Sequence, residues 1–353
     1  MKPIRIGLVG TGSISNAHML GYSKLAAEGK IELVAACDIN RARAEAWAKK
    51  YGFKEVYDNH QEMLAKSDID AVSVCTWNNG HAPITIDALS AGKHVLCEKP
   101  PAMTVEQALA MKEAQEKSGK TLMIGFVRRF GRNADLVLDF YNKGFFGDIN
   151  FSKVAVTRRC GCPLGWFANS KLSGGGPLLD NGVHLIDLVR YLTGKPKAVS
   201  CYAATYNNMG SRTNVKGVDR YTSVDPSSFN DVEDLAVGLV RFDNGMTMNL
   251  EFSYSEEIEE GVIGVEIYGS KGGAVVEPHL TLMTEMNDYM VNITPQIDHP
   301  NDVNFEAEMR HFIDCVNGET ACRNTIDDGI ELMRIICSMY ESAKTGHEVI
   351  IQR

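Results

Sequence analysis

The first third of the chain places short apolar runs between helical stretches. The runs are 3–9 (PIRIGLV), 31–37 (IELVAAC), 70–76 (DAVSVCT), 93–98 (KHVLCE) and 121–126 (TLMIGF). They are apolar at consecutive positions, as expected of strands covered on both faces. The intervening segments at 14–27, 40–50, 83–92 and 104–118 read as helices, and Gly92 closes the third of them. Single helices between two-faced strands predict an α/β unit with a parallel sheet and right-handed crossovers.

The pattern changes near residue 127. Segments 153–158 and 234–242 read as longer strands. Between 246 and 254, Met246, Met248, Leu250, Phe252 and Tyr254 alternate with Thr247, Asn249, Glu251 and Ser253. That period of two predicts an antiparallel strand with one polar face, and 261–270 continues the pattern. An apolar helix is expected at 181–193, and amphipathic helices at 304–317 and from Thr325 to about Lys344. Segment 207–231 is polar and turn-rich, and reads as a long loop. At about 150 residues per domain the chain divides in two. The division falls between an α/β domain at 1–126 and an α+β domain at 127–353.

Composition narrows the class. The chain is 44% hydrophobic and 23% charged, which excludes disorder, collagen-like repeats and coiled coil as its main architecture. A net charge of −9 with no basic block argues against nucleic acid or an anionic membrane as partner. The N-terminal apolar run is broken by glycines too early for a signal peptide, and no run is long enough to span a bilayer. Several of the nine cysteines sit in apolar runs and read as buried thiols of a cytoplasmic protein. Cys160 and Cys162 lack the companions a zinc site needs, so no metal is expected.

The chemistry begins at Gly10-Thr11-Gly12-Ser13-Ile14-Ser15, between the first strand and the first helix. Gly10 permits a tight turn, Gly12 lets backbone approach a pyrophosphate, and the helix supplies free N–H groups at Ser13 and Ile14. Ser15 replaces the third glycine of the fingerprint. Asp38 ends the second strand, where a carboxylate binds the adenosine ribose. It would repel a 2′-phosphate and so favours NAD over NADP, although Arg41 and Arg43 lie close behind. Glu98-Lys99-Pro100-Pro101 ends another buried strand, at the sheet edge where ligands bind. In GGGPLLDNGVHLID (174–187), Asp180, His184 and Asp187 would share one face of a helix.

AGKHVLCEKP and GGGPLLDNGVHLIDL resemble the glucose–fructose oxidoreductase / inositol dehydrogenase / MocA family. TWNNGHAPITIDAL, GFVRRF, VEDLA and IYGSKGG extend the resemblance over nearly the whole chain. It implies a Rossmann dinucleotide-binding domain, then an α+β domain on a large, mainly antiparallel open-faced sheet. Lys99 matches the lysine that touches the substrate hydroxyl and the nicotinamide region, beside Glu98. Asp180 and His184 match the D-x-x-x-H pair. Thr76, Trp77, Asn78 and His81 match a segment lining the cofactor, with Trp77 in place of the commoner proline. Trp166 sits where sugar-active members place an aromatic, and Arg128 and Arg159 are further candidate contacts.

The expected reaction is NAD-dependent oxidation of a secondary ring hydroxyl of a pyranose or glycoside, with C3 the favoured carbon. His184 would take the hydroxyl proton, since an imidazole's ordinary pKa lies near neutrality. Lys99 would stabilise the developing alkoxide, and Asp180 would orient substrate or histidine. Three alternatives accompany it: an inositol (cyclitol) 2-dehydrogenase, an NAD-assisted glycoside-cleaving enzyme, and a non-catalytic NAD-binding sensor. The resemblance also implies homodimers or homotetramers.

Overall fold

The structure is a computed structural model and describes residues 2–210, 212–213, 215–217, 221–223, 229–297 and 304–353. The chain divides into two compact units, Met1–Val127 with Asn304–Ile330, and Arg128–Val303 with Glu331–Arg353. Segment 304–330, which a single division at 126 leaves with the second domain, thus belongs to the first unit.

The first unit holds a six-stranded parallel sheet in the order β3-β2-β1-β4-β5-β6. Its strands are β1 (Ile4–Val9), β2 (Ile31–Cys37), β3 (Glu55–Tyr57), β4 (Ala71–Val74), β5 (His94–Cys97) and β6 (Leu122–Ile124). Its helices are α1 (Ser13–Ala27), α2 (Arg41–Tyr51), α3 (His60–Lys66), α4 (Asn78–Ser90) and α5 (Val105–Ser118). The strand order reverses between β1 and β4, which makes the switch point where such sheets bind ligands. Asn40, Asn59 and Thr104 cap α2, α3 and α5 by accepting a backbone N–H. Each such cap stabilises by about 1 kcal/mol. The pattern did not announce β3 and α3. The fourth helix also starts at Asn78 rather than 83, with Pro83 inside it, so Asn78 and His81 are helical.

The second unit carries α6 (Arg132–Asn142), β7 (Ile149–Thr157), α7 (Ser170–Ser173) and α8 (Val183–Leu192). Next come β8 (Ala198–Tyr206), β9 (Leu235–Phe242), β10 (Thr247–Ser253), β11 (Val262–Gly269), β12 (Gly272–Glu277), β13 (Thr281–Met286) and β14 (Tyr289–Ile293). Along the chain there follow α9 (Phe305–Val316), which belongs to the first unit, α10 (Ile326–Thr345), which begins in the first unit and ends in the second, and β15 (Val349–Ile350) of the second. The nine-stranded sheet runs β14-β13-β12-β11-β7-β10-β9-β8-β15. It is mainly antiparallel, with one correction: β10 is antiparallel to β9 but parallel to β7. Its period of two reports only that one face is covered. Met248, Leu250 and Phe252 are buried while Asn249 is exposed. The described parts of the 207–231 loop form no helix or strand; its other residues lie outside the described residues.

The expected helix at 181–193 begins differently. Leu178–Gly182 forms a π turn that passes into α8 at Val183. Asp180 therefore sits on a wider turn than His184 and Asp187, so the three do not follow one α-helical spacing. Asp187 is buried in a two-pronged ion pair with Arg129, at 2.8 Å from Nε and 2.6 Å from Nη2.

Candidate active site and nucleotide cradle

In the first unit the glycine turn joins β1 to α1. Gly10 has a φ of +94°, and a Cβ there would lie 2.4 Å from the Cys75 carbonyl, so only glycine fits. Gly12 differs: a Cβ there would meet nothing within 4 Å, so the turn is open beside it. No side chain caps α1 and its first turn carries no acid, so the positive end of this helix, at Ser13 and Ile14, suits an anion. An open glycine at an uncapped helix start fits the pyrophosphate of a dinucleotide. Valine at position 12 is therefore expected to fold normally and to weaken NAD binding at least about tenfold. Calorimetric titration beside a melting curve checks both halves of this expectation.

Asp38 stands at the end of β2. Its carboxylate accepts the Thr11 N–H at 2.8 Å and the Asn40 N–H at 2.8 Å. Arg43 donates to the same group from Nη2 at 2.7 Å. Burial opposes its ionisation, but Arg43 and the two N–H donors outweigh that and hold the carboxyl below its usual range. Arg41 is turned aside onto Glu45, at 3.0 Å.

Thr76 and Trp77 lead into α4. Trp77 is half-buried at the N-cap, where its side chain caps nothing. Asn78 is buried in the first turn. The ring of His81, expected to line the cofactor, is buried between two backbone carbonyls. Nδ1 lies 2.7 Å from Pro100 O and Nε2 3.1 Å from Thr76 O. Burial keeps its pKa below the ordinary imidazole value. A neutral ring carries one N–H and so donates to only one of these carbonyls at a time, between the Thr76 turn and the segment that carries Lys99.

Glu98 is also turned inward. One oxygen accepts from His18 at 2.8 Å and the other from the Lys99 N–H at 3.0 Å. Burial opposes its charge, yet His18 and the nearby Lys99 keep the carboxyl below its usual range. His18 is thus a residue that sequence reasoning missed. The only signal for it was a histidine on the apolar helix after the glycine turn. Glu98 contributes to a site by fixing the backbone of Lys99.

Glu308, on α9 in the same unit, is fully buried, and neither of its oxygens has a hydrogen-bond partner among the described residues. Burial first, then the charge of Glu98, pushes its carboxyl well above 4.5. The folded chain keeps this proton where the unfolded chain loses it. Stability should therefore fall by about 1.4 kcal/mol per pH unit from this group, from the unfolded value up to the folded one. In Glu308→Met, urea midpoints measured against pH should show a slope shallower by that amount; parallel curves would refute the assignment.

The second unit presents Asp180 and His184. Gly174–Leu178 runs into the π turn against Glu233, whose carboxylate accepts the N–H of Gly176 at 2.8 Å and of Leu178 at 3.2 Å. Tyr340 donates to the same group at 2.8 Å. A Cβ on Gly176 would lie 2.1 Å from the Glu233 carbonyl, which explains the glycine run. Burial raises the Glu233 carboxyl above its usual range. Tyr254, fully buried at the end of β10, donates to Asp180 at 3.0 Å. α8 is buried along its whole length except at His184. The apolar pattern of this helix thus hides one accessible imidazole.

Trp166 lies half-buried on a short 3₁₀ turn (Gly165–Ala168), 3.9 Å from the Phe167 ring. Ala168 and Cys162 pack on Tyr254, so this turn and Asp180 share one support. The two candidate arginines are engaged elsewhere. Arg128 pairs with Glu277, and the exposed Arg159 lies 3.3 Å from Glu257. Arg158 is the arginine beside the Asp180 turn, with Nη2 3.4 Å from Asn181 Oδ1. Glu233, Tyr254 and Arg158 also escaped sequence reasoning, although Glu233 stands in the VEDLA string. Among the described residues no group of three or more His, Cys, Asp or Glu could hold a metal ion.

Comparison with known proteins settles the family. A family model described as "Oxidoreductase family, NAD-binding Rossmann fold" matches residues 4–126, and its partner, "Oxidoreductase family, C-terminal alpha/beta domain", matches 142–351. The chain belongs to the Gfo/Idh/MocA oxidoreductases. A D-glucoside 3-dehydrogenase of Escherichia coli K12 is 34% identical over 99% of this chain and 97% of its own. A levoglucosan dehydrogenase of Pseudarthrobacter phenanthrenivorans is 29% identical over 78% of this chain and 74% of its own. A solved levoglucosan dehydrogenase with NADH and L-sorbose superposes with a TM-score of 0.88 at 23% identity, covering all of both chains; it speaks for the fold. As a Gfo/Idh/MocA member the protein is an NAD-dependent oxidoreductase acting on CH–OH groups.

Proposed function

We propose that the protein oxidises a ring hydroxyl of a pyranose or glycoside at C3, to the corresponding keto sugar. The full-length likeness to a D-glucoside 3-dehydrogenase carries this reading. NAD, when bound, supplies the hydride acceptor. His184 takes the hydroxyl proton, and its place as the accessible position of a buried helix suits a fixed general base. Asp180, held by Tyr254, orients the substrate. Lys99, its backbone N–H held by Glu98, donates to the reacting oxygen as alkoxide charge develops. Trp166 offers an aromatic face to the sugar ring. Arg158 replaces Arg159 as the arginine we assign near the substrate, and Arg128 is assigned to Glu277.

The test is NADH formation across glucosides, free hexoses, levoglucosan and inositols, with products identified by NMR. A 3-keto glycoside as the preferred product supports the reading. Preference for an inositol would replace it with the cyclitol reading, which relatives such as a scyllo-inositol 2-dehydrogenase of Bacillus subtilis keep in view (27% identical over 93% of this chain). Release of a glycone without NADH accumulation would replace it with bond cleavage.

We also place the protein in the cytoplasm, as a homodimer or homotetramer. None of the nine cysteines is in a disulfide, and no described helix is long and apolar enough to cross a membrane. The sheet's outer face exposes Tyr202 and Leu239, directly paired across β8 and β9, and stacks Phe151 on Tyr268. A light-scattering mass equal to one 38.8 kDa chain would remove the oligomer.

A further inference from the structure

One cluster of reactive side chains lies apart from every residue assigned above. Cys315 stands in the last turn of α9. The chain then reverses at Gly318, whose N–H donates to the Cys315 carbonyl at 3.1 Å, while the Glu319 N–H donates to Asp314 O at 2.9 Å. This reversal brings 322–323 back along the helix. The Arg323 N–H donates to His311 Nε2 at 3.0 Å, and the Cys315 sulfur lies 3.5 Å from the same nitrogen. The two thiols touch: Cys315 and Cys322 are in hydrogen-bonding contact. Cys315 is buried and Cys322 half-buried. The Cys322 thiol also faces the Asn324 carbonyl at 3.4 Å.

Among the other cysteines, Cys37, Cys75, Cys97, Cys162 and Cys201 are buried, and Cys160 and Cys337 are half-buried. Two thiols in hydrogen-bonding contact across a short turn can close to a disulfide where their Cα atoms come within about 7 Å. One thiol is accessible and one is buried, which is the division of labour that thiol exchange needs. We propose that Cys315 and Cys322 form a redox-active dithiol that closes to an intramolecular disulfide, with a small-molecule disulfide as its oxidant.

The order of events follows from the contacts. Cys322 is the less buried of the two thiols, so a small disulfide in solution reaches it first. The Cys322 thiolate attacks one sulfur of the oxidant, whose S–S bond breaks and releases one thiolate. A mixed disulfide on Cys322 results. The Cys315 proton leaves to solvent or to His311 Nε2, 3.5 Å from its sulfur. Cys315 then attacks the Cys322 sulfur and expels the second thiolate. Two protein thiols lose two electrons, the oxidant gains them, and the two thiol protons end on the departing thiolates. The product bears on the first unit's sheet. Asn324 clamps Ile124 of β6 from both sides, accepting its N–H and donating Nδ2 to its carbonyl at 3.0 Å each.

The test uses the full chain in native buffer. It is exposed to oxidised glutathione, alkylated, and analysed by intact mass and peptide mapping. The expected result is a Cys315–Cys322 cross-linked peptide, reversed by dithiothreitol and formed at least about tenfold faster than any change at the other cysteines. Cys315→Ser should stop at a glutathione adduct on Cys322. The proposal is overturned if both cysteines remain alkylatable while others react, or if the cross-link forms only in denaturant. The wild-type map decides the question even if a variant fails to fold.

Discussion

Replacing His184 with alanine is expected to lower kcat on the preferred sugar by about a hundred- to ten-thousandfold, the usual worth of a positioned general base. NAD affinity should change by less than about threefold, because the nucleotide cradle is built from residues of the first unit. Folding should survive, since 184 is the one position of α8 that is not buried and alanine is a good helix former. Lys99→Met should cost about a hundred- to a thousandfold in kcat through lost alkoxide stabilisation. The double variant should be little worse than the weaker single if both groups act in the proposed step, because the effects of residues that act as a unit do not add. Stopped-flow NADH formation, with NAD binding measured separately, reads both quantities. A kcat for His184→Ala within about threefold of wild type would remove the histidine from proton transfer.

Much of the first unit was legible because parallel strands covered on both faces must be apolar at consecutive positions. β1 and β2 accordingly fall within a residue of their apolar runs. β3 carried no such signal. It is a three-residue edge strand with all its positions half-buried, so neither a continuous run nor an alternation marks it. The late hairpins β12 to β14 are partly exposed and equally silent.

The site divides along a similar line. Residue types at an edge or a turn, such as Gly10, Gly12, Asp38 and Lys99, could be named from local spacing. Their partners could not. The π turn depends on Glu233, Tyr340 and Tyr254, which lie 55 to more than 100 residues away in sequence. Helical spacing in one segment does not register such contacts, so Asp187 was grouped with His184 although Arg129 claims it. Which of Arg158 and Arg159 approaches the Asp180 turn was not legible for a related reason. β7 ends at Thr157, and the alternation that would assign a face ends with it.

The Arg129–Asp187 pair should have the largest effect on stability. Both side chains are almost fully buried, and the guanidinium also lies over the Tyr191 ring at 4.7 Å. Arg129→Met keeps much of the volume but leaves the Asp187 carboxylate desolvated and without its counter-charge. Removing one member of a buried pair costs about 3–5 kcal/mol. Removing both is far milder, because the desolvation penalty of each charge disappears with it. Arg129→Met with Asp187→Leu should therefore recover most of the loss, to within about 1–2 kcal/mol of wild type. Urea unfolding of the two singles and the double yields the coupling directly. Two singles near neutral would mean that water reaches the pair. A double as unstable as the sum of the singles would mean that the two side chains act independently, as packing elements. Asp187 lies one helical turn after His184, so the same salt bridge also fixes the rotation of α8 that leaves the imidazole accessible. The double variant thus separates the two roles: stability should return with the apolar pair, while kcat should return only as far as α8 regains its rotation without the bidentate hydrogen bonds.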